Sequence, residues 1–442
     1  MEKVIAVSIQ RQGQTDAAVH ASMEELEELV ETAGGEVVEI HTQKKDRPDP
    51  ATFIGKGKAA ELAERVIQLK IRTLVFDDDL KPVQQRNLEE VTGAKVVDRT
   101  RLILDIFAQR ARSREGILQV ELAQLNYMLP RITERFGRFE QQTGGIGTRG
   151  PGERKLEVDR RRIRDRMAAL QTQIEKVSGE RSLQRSVRRS VPVPQVALVG
   201  YTNAGKSTLL NALLQHSAPT PYGRRGMPLR SPQASSRGAG ADIPPRGVYA
   251  DDKLFATLDP TTRRIQLPSG RTILFTDTVG FIRKLPTELV ASFRATLEET
   301  ASADLLVHVM DVSSPDWPAH ERTVLEILKE LQMAHLPLVT AYNKMDRLSP
   351  SQKRRLASGE GILLSAKTGE RMGEFLRAIE QKLTAQWIEK EILVPYADHA
   401  RMALIHEHTE ILAQDTTEGG YRLRIRSHPS TFAQIIHHRA VR

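Results

Sequence analysis

The spacing of apolar positions changes character several times along this chain. Over residues 1 to about 110, short strand-like runs (Val4 to Ile9, Glu36 to Ile40, Thr73 to Phe76, Lys95 to Val97) alternate with stretches of helical spacing (Met23 to Thr32, Ala59 to Leu69, Val83 to Val91). Such alternation predicts a small parallel α/β sheet with helices on its faces. Gly34 and Gly35 read as a helix stop. From about 111 to 190 the period is that of long helices. Leu118, Leu122, Leu125, Leu129 and Ile132 step by 4, 3, 4 and 3, and Leu156, Ile163, Met167, Leu170, Ile174 and Val177 form a second stripe in which Arg160 takes an inner position. Two antiparallel helices packed on each other are the economical arrangement. Between them, Phe136 to Gly152 carries glycine at 137, 144, 145, 147, 150 and 152, which predicts a non-helical tip. Strand-like runs return at Val196 to Val199, Thr272 to Phe275, Leu336 to Ala341 and Ile362 to Leu364. The last segment reads as a small βαβα unit, from Ile392 to Tyr396, Ala400 to Ala413, Tyr421 to Ile425 and Phe432 to His438. Arg422, Arg424 and Arg426 alternate along one face of its second strand.

A chain of 442 residues is long enough for several cores. The pattern divides it into an α/β domain (1–110), a helical hairpin with a Gly-rich tip (111–190), a second α/β domain (195–388) and a small α+β domain (389–442). Composition adds the chemistry of a partner. Lys and Arg number 65 against 56 Asp and Glu, for a net charge of +9 and a pI near 9.6, which suits a polyanion. The excess is concentrated: residues 131 to 166 hold 11 basic and 6 acidic side chains. A tip with Arg138, Arg149 and Arg154 on a basic stalk suits insertion into folded RNA. Arg181 to Ser190 reads as a basic linker ended by Pro192 and Pro194. Residues 217 to 247 contain six prolines, five arginines and a single acid, Asp242, which predicts a disordered, tolerated insertion. The absence of cysteine excludes disulfides and thiolate chemistry. No apolar run approaches a membrane span and no signal-peptide core is present, so a soluble, cytoplasmic protein is expected; a monomer is the expected oligomeric state.

Two further features suggest ligands at first sight and are better read blandly. Gly55-Lys56-Gly57-Lys58 lacks both the spacing of a phosphate loop and a strand directly before it, and reads as a turn or an RNA-facing loop. His406 and His408 are spaced to point to different sides of a helix, which disfavours a metal site.

The stretch Gly200-Tyr201-Thr202-Asn203-Ala204-Gly205-Lys206-Ser207, followed by Thr208, fits G-x-x-x-x-G-K-[ST] directly after a strand-like run. Its glycines let backbone amides wrap an anion, Lys206 reaches the β- and γ-phosphates, and Ser207 holds Mg²⁺. Asp277-Thr278-Val279-Gly280 follows another strand, placing a carboxylate near the metal shell and a glycine amide at the γ-phosphate. Asn343-Lys344-Met345-Asp346 ends a third strand, where a carboxylate accepts from guanine N1–H and the exocyclic amine; adenine offers no such pair of donors. Ser365-Ala366-Lys367 supplies a turn whose amide can meet the guanine oxygen. With Thr257 upstream, the elements stand in the order of a GTPase.

That order resembles translation-factor-type GTPases, and Phe255-Ala-Thr-Leu-Asp-Pro-Thr261 with Asp277-Thr-Val-Gly-Phe-Ile282 makes the chain similar to the HflX family of ribosome-associated GTPases. The resemblance covers nearly the whole chain. It implies a P-loop GTPase fold and a ribosome-facing N-terminal domain. It implies Thr257 as the first-switch Mg²⁺ ligand, ahead of Asp259, Thr261 or Thr262, with Lys206, Asn203, Thr257 and Gly280 acting in hydrolysis. It also implies K⁺ beside Asn203, because Phe281 stands where related enzymes carry a water-orienting Gln. Slow intrinsic turnover, activation by the large ribosomal subunit and the splitting or rescue of stalled ribosomes complete what the resemblance implies. The insertion departs from the family, placing Asp277 71 positions after Lys206. Other readings are a ribosome-assembly GTPase, an RNA-remodelling ATPase, a nucleotide-gated RNA-binding protein with incidental turnover, and a regulator that binds another protein through the hairpin.

Overall fold

In the computed structural model, Val4 to Ile9 form the middle of β1 (Glu2–Gln10). This strand is flanked on one side by β2 (Gly35–Lys44) and on the other by β3 (Thr73–Phe76) and β4 (Lys95–Asp98). The order is β2-β1-β3-β4 and every pairing is parallel. The structure describes residues 1–136, 151–189, 193–216, 254–255, 260–284, 300–301, 303–385 and 387–437. Residues 137–150 of the expected tip (136–152), the insertion 217–247, Thr257 and Asp259 lie outside these residues. Two compact units emerge: Met1–Arg185 with Asp251–Asp259 and Val279–Glu298, and Ser186–Ala250 with Pro260–Thr278 and Glu299–Arg442.

In the first unit, helices α1 (Asp16–Thr32), α2 (Lys56–Leu69), α3 (Pro82–Thr92) and α4 (Arg99–Arg110) accompany the sheet, and Ile5, Leu62, Leu74, Phe76 and Leu88 share one core. Helix α1 starts seven residues before its apolar stripe, because Thr15 caps it by accepting from the Ala18 amide while the first turns stay largely exposed. Gly34 alone makes the turn, at φ +92°; Gly35 already belongs to β2. Gly55-Lys-Gly-Lys58 is no loop. Gly55 is the N-cap of α2, its amide donating to Gln43 Oε1 at 2.8 Å, and Lys56 to Lys58 form the first helical turn.

The hairpin helices are α5 (Arg114–Phe136) and α6 (Pro151–Arg189). The leucine stripe of α5 is half-buried beyond Leu118, whereas Gln119, Val120, Ala123 and Tyr127 are buried as α5 packs on α3 and α4. The sequence stripe marked the flank of the buried face, since Gly116, Gln119 and Ala123 carry no strong apolar signal. On α6, Ile163, Met167, Ile174 and Val177 are half-buried and Leu170 fully buried, as the second stripe predicts, and an Arg166–Glu121 ion pair of 2.7 Å joins α6 to α5. Two expectations fail here. Pro151 and Gly152 lie inside the first turn of α6, where proline's fixed φ is suited to a helix start. The expected linker from Arg181 is helical as far as Arg189, with neither Gly nor Pro between Gly179 and Pro192 to stop it.

The first unit also buries Leu254, Phe255, Phe281 and Ile282, and the Phe255 ring meets Phe107 edge-on at 4.5 Å. Below them sits a polar knot. Asp77 accepts from Ser22 Oγ (2.7 Å), Arg99 (2.7 Å) and Lys284 Nζ (2.6 Å), and Arg99 also donates to Glu25 (2.7 Å) and to the carbonyl of Arg283 (3.2 Å).

The second unit holds a six-stranded sheet of order β10-β9-β8-β5-β7-β6. Its strands are β5 (Gln195–Gly200), β6 (Thr261–Gln266), β7 (Thr272–Asp277), β8 (Leu305–Asp311), β9 (Leu338–Asn343) and β10 (Ile362–Leu363). All pairings are parallel except β6 with β7. Central β5 and β8 are nearly unbroken apolar runs, as strands covered on both faces require. Leu209 and Leu213 cover one side with Phe375 and Ile379 in a shared core.

The C-terminal segment corrects the expected βαβα order. Its strands β11 (Ile388–Val394), β12 (Glu410–Thr417) and β13 (Gly420–Ser427) form an antiparallel sheet of order β11-β13-β12, with helices His399–His408 and Pro429–His437. Ala400 to Ala413 is therefore helix and then strand: the helix closes at Thr409, whose backbone turns extended at φ −129°. Arg422 and Arg424 are exposed while Leu423 and Ile425 are buried, in the predicted alternation.

Candidate functional site

The turn after β5 requires residues without side chains. A Cβ on Gly200 would stand 2.3 Å from the Val309 carbonyl oxygen of β8, and one on Gly205 (φ +90°) would stand 2.4 Å from Asn343 Nδ2. Between them Tyr201, Thr202 and Ala204 are buried, and Asn203 stands exposed at the crest in the left-handed region, φ +59°. The Tyr201 ring lies parallel to His320, centroids 3.9 Å apart and planes 11° apart, which ties the loop to the helix Trp317–Glu330. The helix α7 (Lys206–His216) rises directly from the loop and carries Ser207 and Thr208 in its first turn. The N–H groups of a helix start converge on one concavity there, an arrangement suited to phosphate.

Lys206 folds back over the loop, its Nζ donating to the carbonyls of Gly200 (3.1 Å) and Tyr201 (2.8 Å). Burial pushes its pKa down to about 8 against the opposing pull of Asp277. A phosphate chain in the concavity would supply the negative charge that this buried ammonium lacks. His308 of β8, 1% exposed, was missed by motif reasoning; burial first, then the Lys206 charge, hold its pKa down near 4, so it is neutral at physiological pH. Its signal in the sequence is a lone polar residue within the apolar run of β8.

At the end of β7, Asp277 Oδ2 accepts from Ser207 Oγ at 2.6 Å, and Thr278 Oγ1 donates to the Leu198 carbonyl at 2.5 Å. A hydroxyl beside a carboxylate is the oxygen donor set that Mg²⁺ takes. Thr261 and Thr262 are strand residues of β6 opposite Asp277 and Thr276, and Thr262 Oγ1 lies 2.9 Å from Thr276 Oγ1. Val279 and Gly280 continue the chain into the first unit.

The two remaining motifs meet through Asn343. Its Nδ2 donates to the Ala204 carbonyl at 2.8 Å and its Oδ1 accepts from the Ala366 amide at 3.0 Å, so one buried side chain ties the phosphate loop to the Ser365-Ala366-Lys367 turn. Lys344, at φ +62°, is held by a 2.7 Å ion pair to Asp311, another residue the motifs did not indicate. Asp346 is exposed and accepts from Ser365 Oγ at 2.7 Å, which holds its carboxyl below the ordinary range and leaves a charged acceptor facing outward.

Family models match this chain in sequence order. Residues 20–108 match "GTP-binding GTPase N-terminal", 110–188 "GTP-binding GTPase Middle Region", and 195–222 with 245–344 "50S ribosome-binding GTPase". GTPase HflX of Caldanaerobacter subterraneus subsp. tengcongensis is 45% identical over 405 residues, 91% of this chain and 86% of that protein. GTPase HflX of Escherichia coli (strain K12) is 41% identical over 378 residues, 84% of this chain and 82% of that protein. Among solved structures, a GTP-binding protein from the hyperthermophilic archaeon Sulfolobus solfataricus in complex with GDP shares 23% identity at a TM-score of 0.42, covering 86% of this chain and 98% of that one. With the phosphate loop, the Ser207–Asp277 pair and the Asn343 and Asp346 motif assembled on one sheet, and relatives of this identity spanning most of the chain, the protein belongs to the HflX family of GTPases.

Proposed function

We propose that this GTPase binds the large ribosomal subunit in its GTP-bound state, splits or rescues stalled ribosomes, and leaves after hydrolysis. The observation that carries the reading is the match of its nucleotide domain to the 50S ribosome-binding GTPases in a chain whose long helix α6 exposes Arg161, Arg162 and Arg164. Phosphates of ribosomal RNA are the natural counter-charge for that row. The expected tip over 137–150 extends the same reading toward the peptidyl-transferase centre.

GTP would lie with its base at Asn343, Asp346 and the Ser365-Ala366-Lys367 turn, and its phosphates against Gly200 to Thr208. Mg²⁺ would be held by Ser207 and Thr257 with Asp277 behind them, and would neutralise charge on the β- and γ-phosphates. Lys206 would turn from the loop carbonyls to those phosphates, and the Gly280 amide would meet the γ-phosphate. Phe281 is 2% exposed and offers no hydrogen bond to a nucleophilic water, so unassisted turnover is slow and the ribosome supplies the missing order. Asn203, exposed at the loop crest, would seat K⁺ beside the phosphates. Turnover in potassium buffer should exceed that in sodium buffer; equal rates would remove this role.

Sedimentation of the purified protein with intact ribosomes tests the whole reading. Free subunits should appear with GTP and the protein should track the large subunit; intact ribosomes with every nucleotide would overturn it. Phe281 also favours a second reading, a nucleotide-gated RNA-binding protein with incidental turnover. One round of splitting with a non-hydrolysable GTP analogue, against repeated rounds with GTP, separates the two.

A further inference from the structure

A cavity of about 510 Å³ lies wholly within the second unit and shares no residue with the nucleotide site. Its wall comes from the β6–β7 hairpin, the end of the helix Met372–Thr384 and the C-terminal domain. The volume is that of a small-molecule site. Its chemistry is specific. The Arg271 guanidinium lies 4.2 Å over the ring of Trp387, a half-buried planar cation on an aromatic face. Desolvation lowers the Arg271 pKa against the pull of Glu410, 3.9 Å away, and of Glu380. Beside this stack, Trp387 Nε1–H and Glu380 Oε1 are sealed from solvent with no hydrogen-bond partner among the described residues. A donor and an acceptor left unmade are a cost of the fold as it stands, and a ligand carrying both functions removes it when the adjoining side chains shift to open these atoms to the cavity. Arg264 and His406 stand exposed on the lining, and His428 is half-buried there. A site with a planar cation–aromatic stack, an unmade donor and acceptor, and a basic rim matches a planar heterocycle attached to an anion.

We propose that this cavity binds a ribonucleoside monophosphate unit, its base against the Arg271–Trp387 stack, its edge toward Glu380 and its phosphate toward Arg264 and His406. The unit could come from a free mononucleotide or from an unstacked nucleotide of single-stranded RNA.

The chain has two tryptophans, so W317F leaves Trp387 as the reporter. The full-length W317F protein, kept saturated with GDP and Mg²⁺ to occupy the guanine site, is titrated with adenosine monophosphate, a short oligoadenylate and inorganic phosphate while Trp387 fluorescence is read. Adenosine monophosphate or the oligonucleotide should change the emission saturably, and R271A should weaken that binding about tenfold, as loss of one stacked cation predicts. R271K, which keeps the charge and loses the plane, gives the same weakening and serves if R271A fails to fold. E380Q should weaken both nucleotide ligands. Equal affinity for the two assigns the site to free nucleotides; a tenfold advantage for the oligonucleotide assigns it to RNA. The proposal is overturned if neither responds up to about 10 mM, if phosphate alone reproduces the response, or if R271K and E380Q bind as the parent does.

Discussion

Lys206 is a buried cation whose desolvation outweighs the pull of Asp277, and pH makes that visible. Its folded pKa of about 8 lies below the ordinary 10.5, so between these values the unfolded chain binds more protons. The nucleotide-free protein should therefore gain stability from this group as pH rises from 8 toward 10.5. Phosphates of GDP or GTP beside Lys206, as proposed, should restore the charge. At pH 8.5 nucleotide binding should take up about three-quarters of a proton at Lys206, measurable by calorimetry in two buffers of different ionisation enthalpy; zero uptake would show that the ammonium is already charged. The base end allows an independent check. In the base pocket proposed above, Asp346→Asn would replace an acceptor with a donor opposite guanine's own donors, and GDP affinity should fall by about a hundredfold or more. Titration with fluorescent GDP checks it, and an unchanged affinity would move Asp346 out of the base pocket.

Between elements, the buried ion pairs of the first unit make a sharper target than any exposed pair. Arg99 and Asp77 are both 1% exposed, and Glu25 and Lys284 are among their charged partners. Arg99→Leu leaves two carboxylates beside one lysine in a buried site and should cost about 3–5 kcal/mol, seen as a lower midpoint in urea unfolding; a shift no larger than that of an exposed mutant such as Arg161→Ala would mean that water enters the knot. None of this network was legible in the sequence. Its bonded partners lie 22 to 207 positions apart, and charge patterning reports only on neighbours along one element. What was legible followed local chemistry: the parallel first sheet, the stripe of α6, the alternation on β13, and the strand-to-helix turn after β5, which Asn343 reaches. Boundaries failed where a cap or a missing breaker governs. Thr15 starts α1 ahead of its apolar face, Gly55 caps a helix where a loop was expected, and α6 runs on to Arg189. His308 and Asp311 of β8 escaped because the groups they act on, Lys206 and Lys344, stand in motifs far away along the chain.

For the molecule as a whole, the net charge of +9 matters less than where it is displayed. A diffuse excess would raise affinity for any polyanion, whereas a row of exposed arginines on one long helix should neutralise a definite number of phosphates. Arg161, Arg162 and Arg164 are such a row, and none belongs to the nucleotide site. Their joint replacement by alanine should leave GDP affinity unchanged and weaken binding to the large ribosomal subunit. It should also reduce the slope of log affinity against log salt by about 2 to 3, one step of roughly 0.7 to 0.9 for each phosphate that is no longer neutralised. Sedimentation binding across a series of KCl concentrations measures that slope directly. A parallel fall in affinity at every salt concentration, with the slope kept, would mean that the helix is held by shape and apolar packing, and the arginines would then be solvated charges with no phosphate partners. Because alanine favours helix at least as well as arginine, a change in slope could not be put down to an unravelled α6.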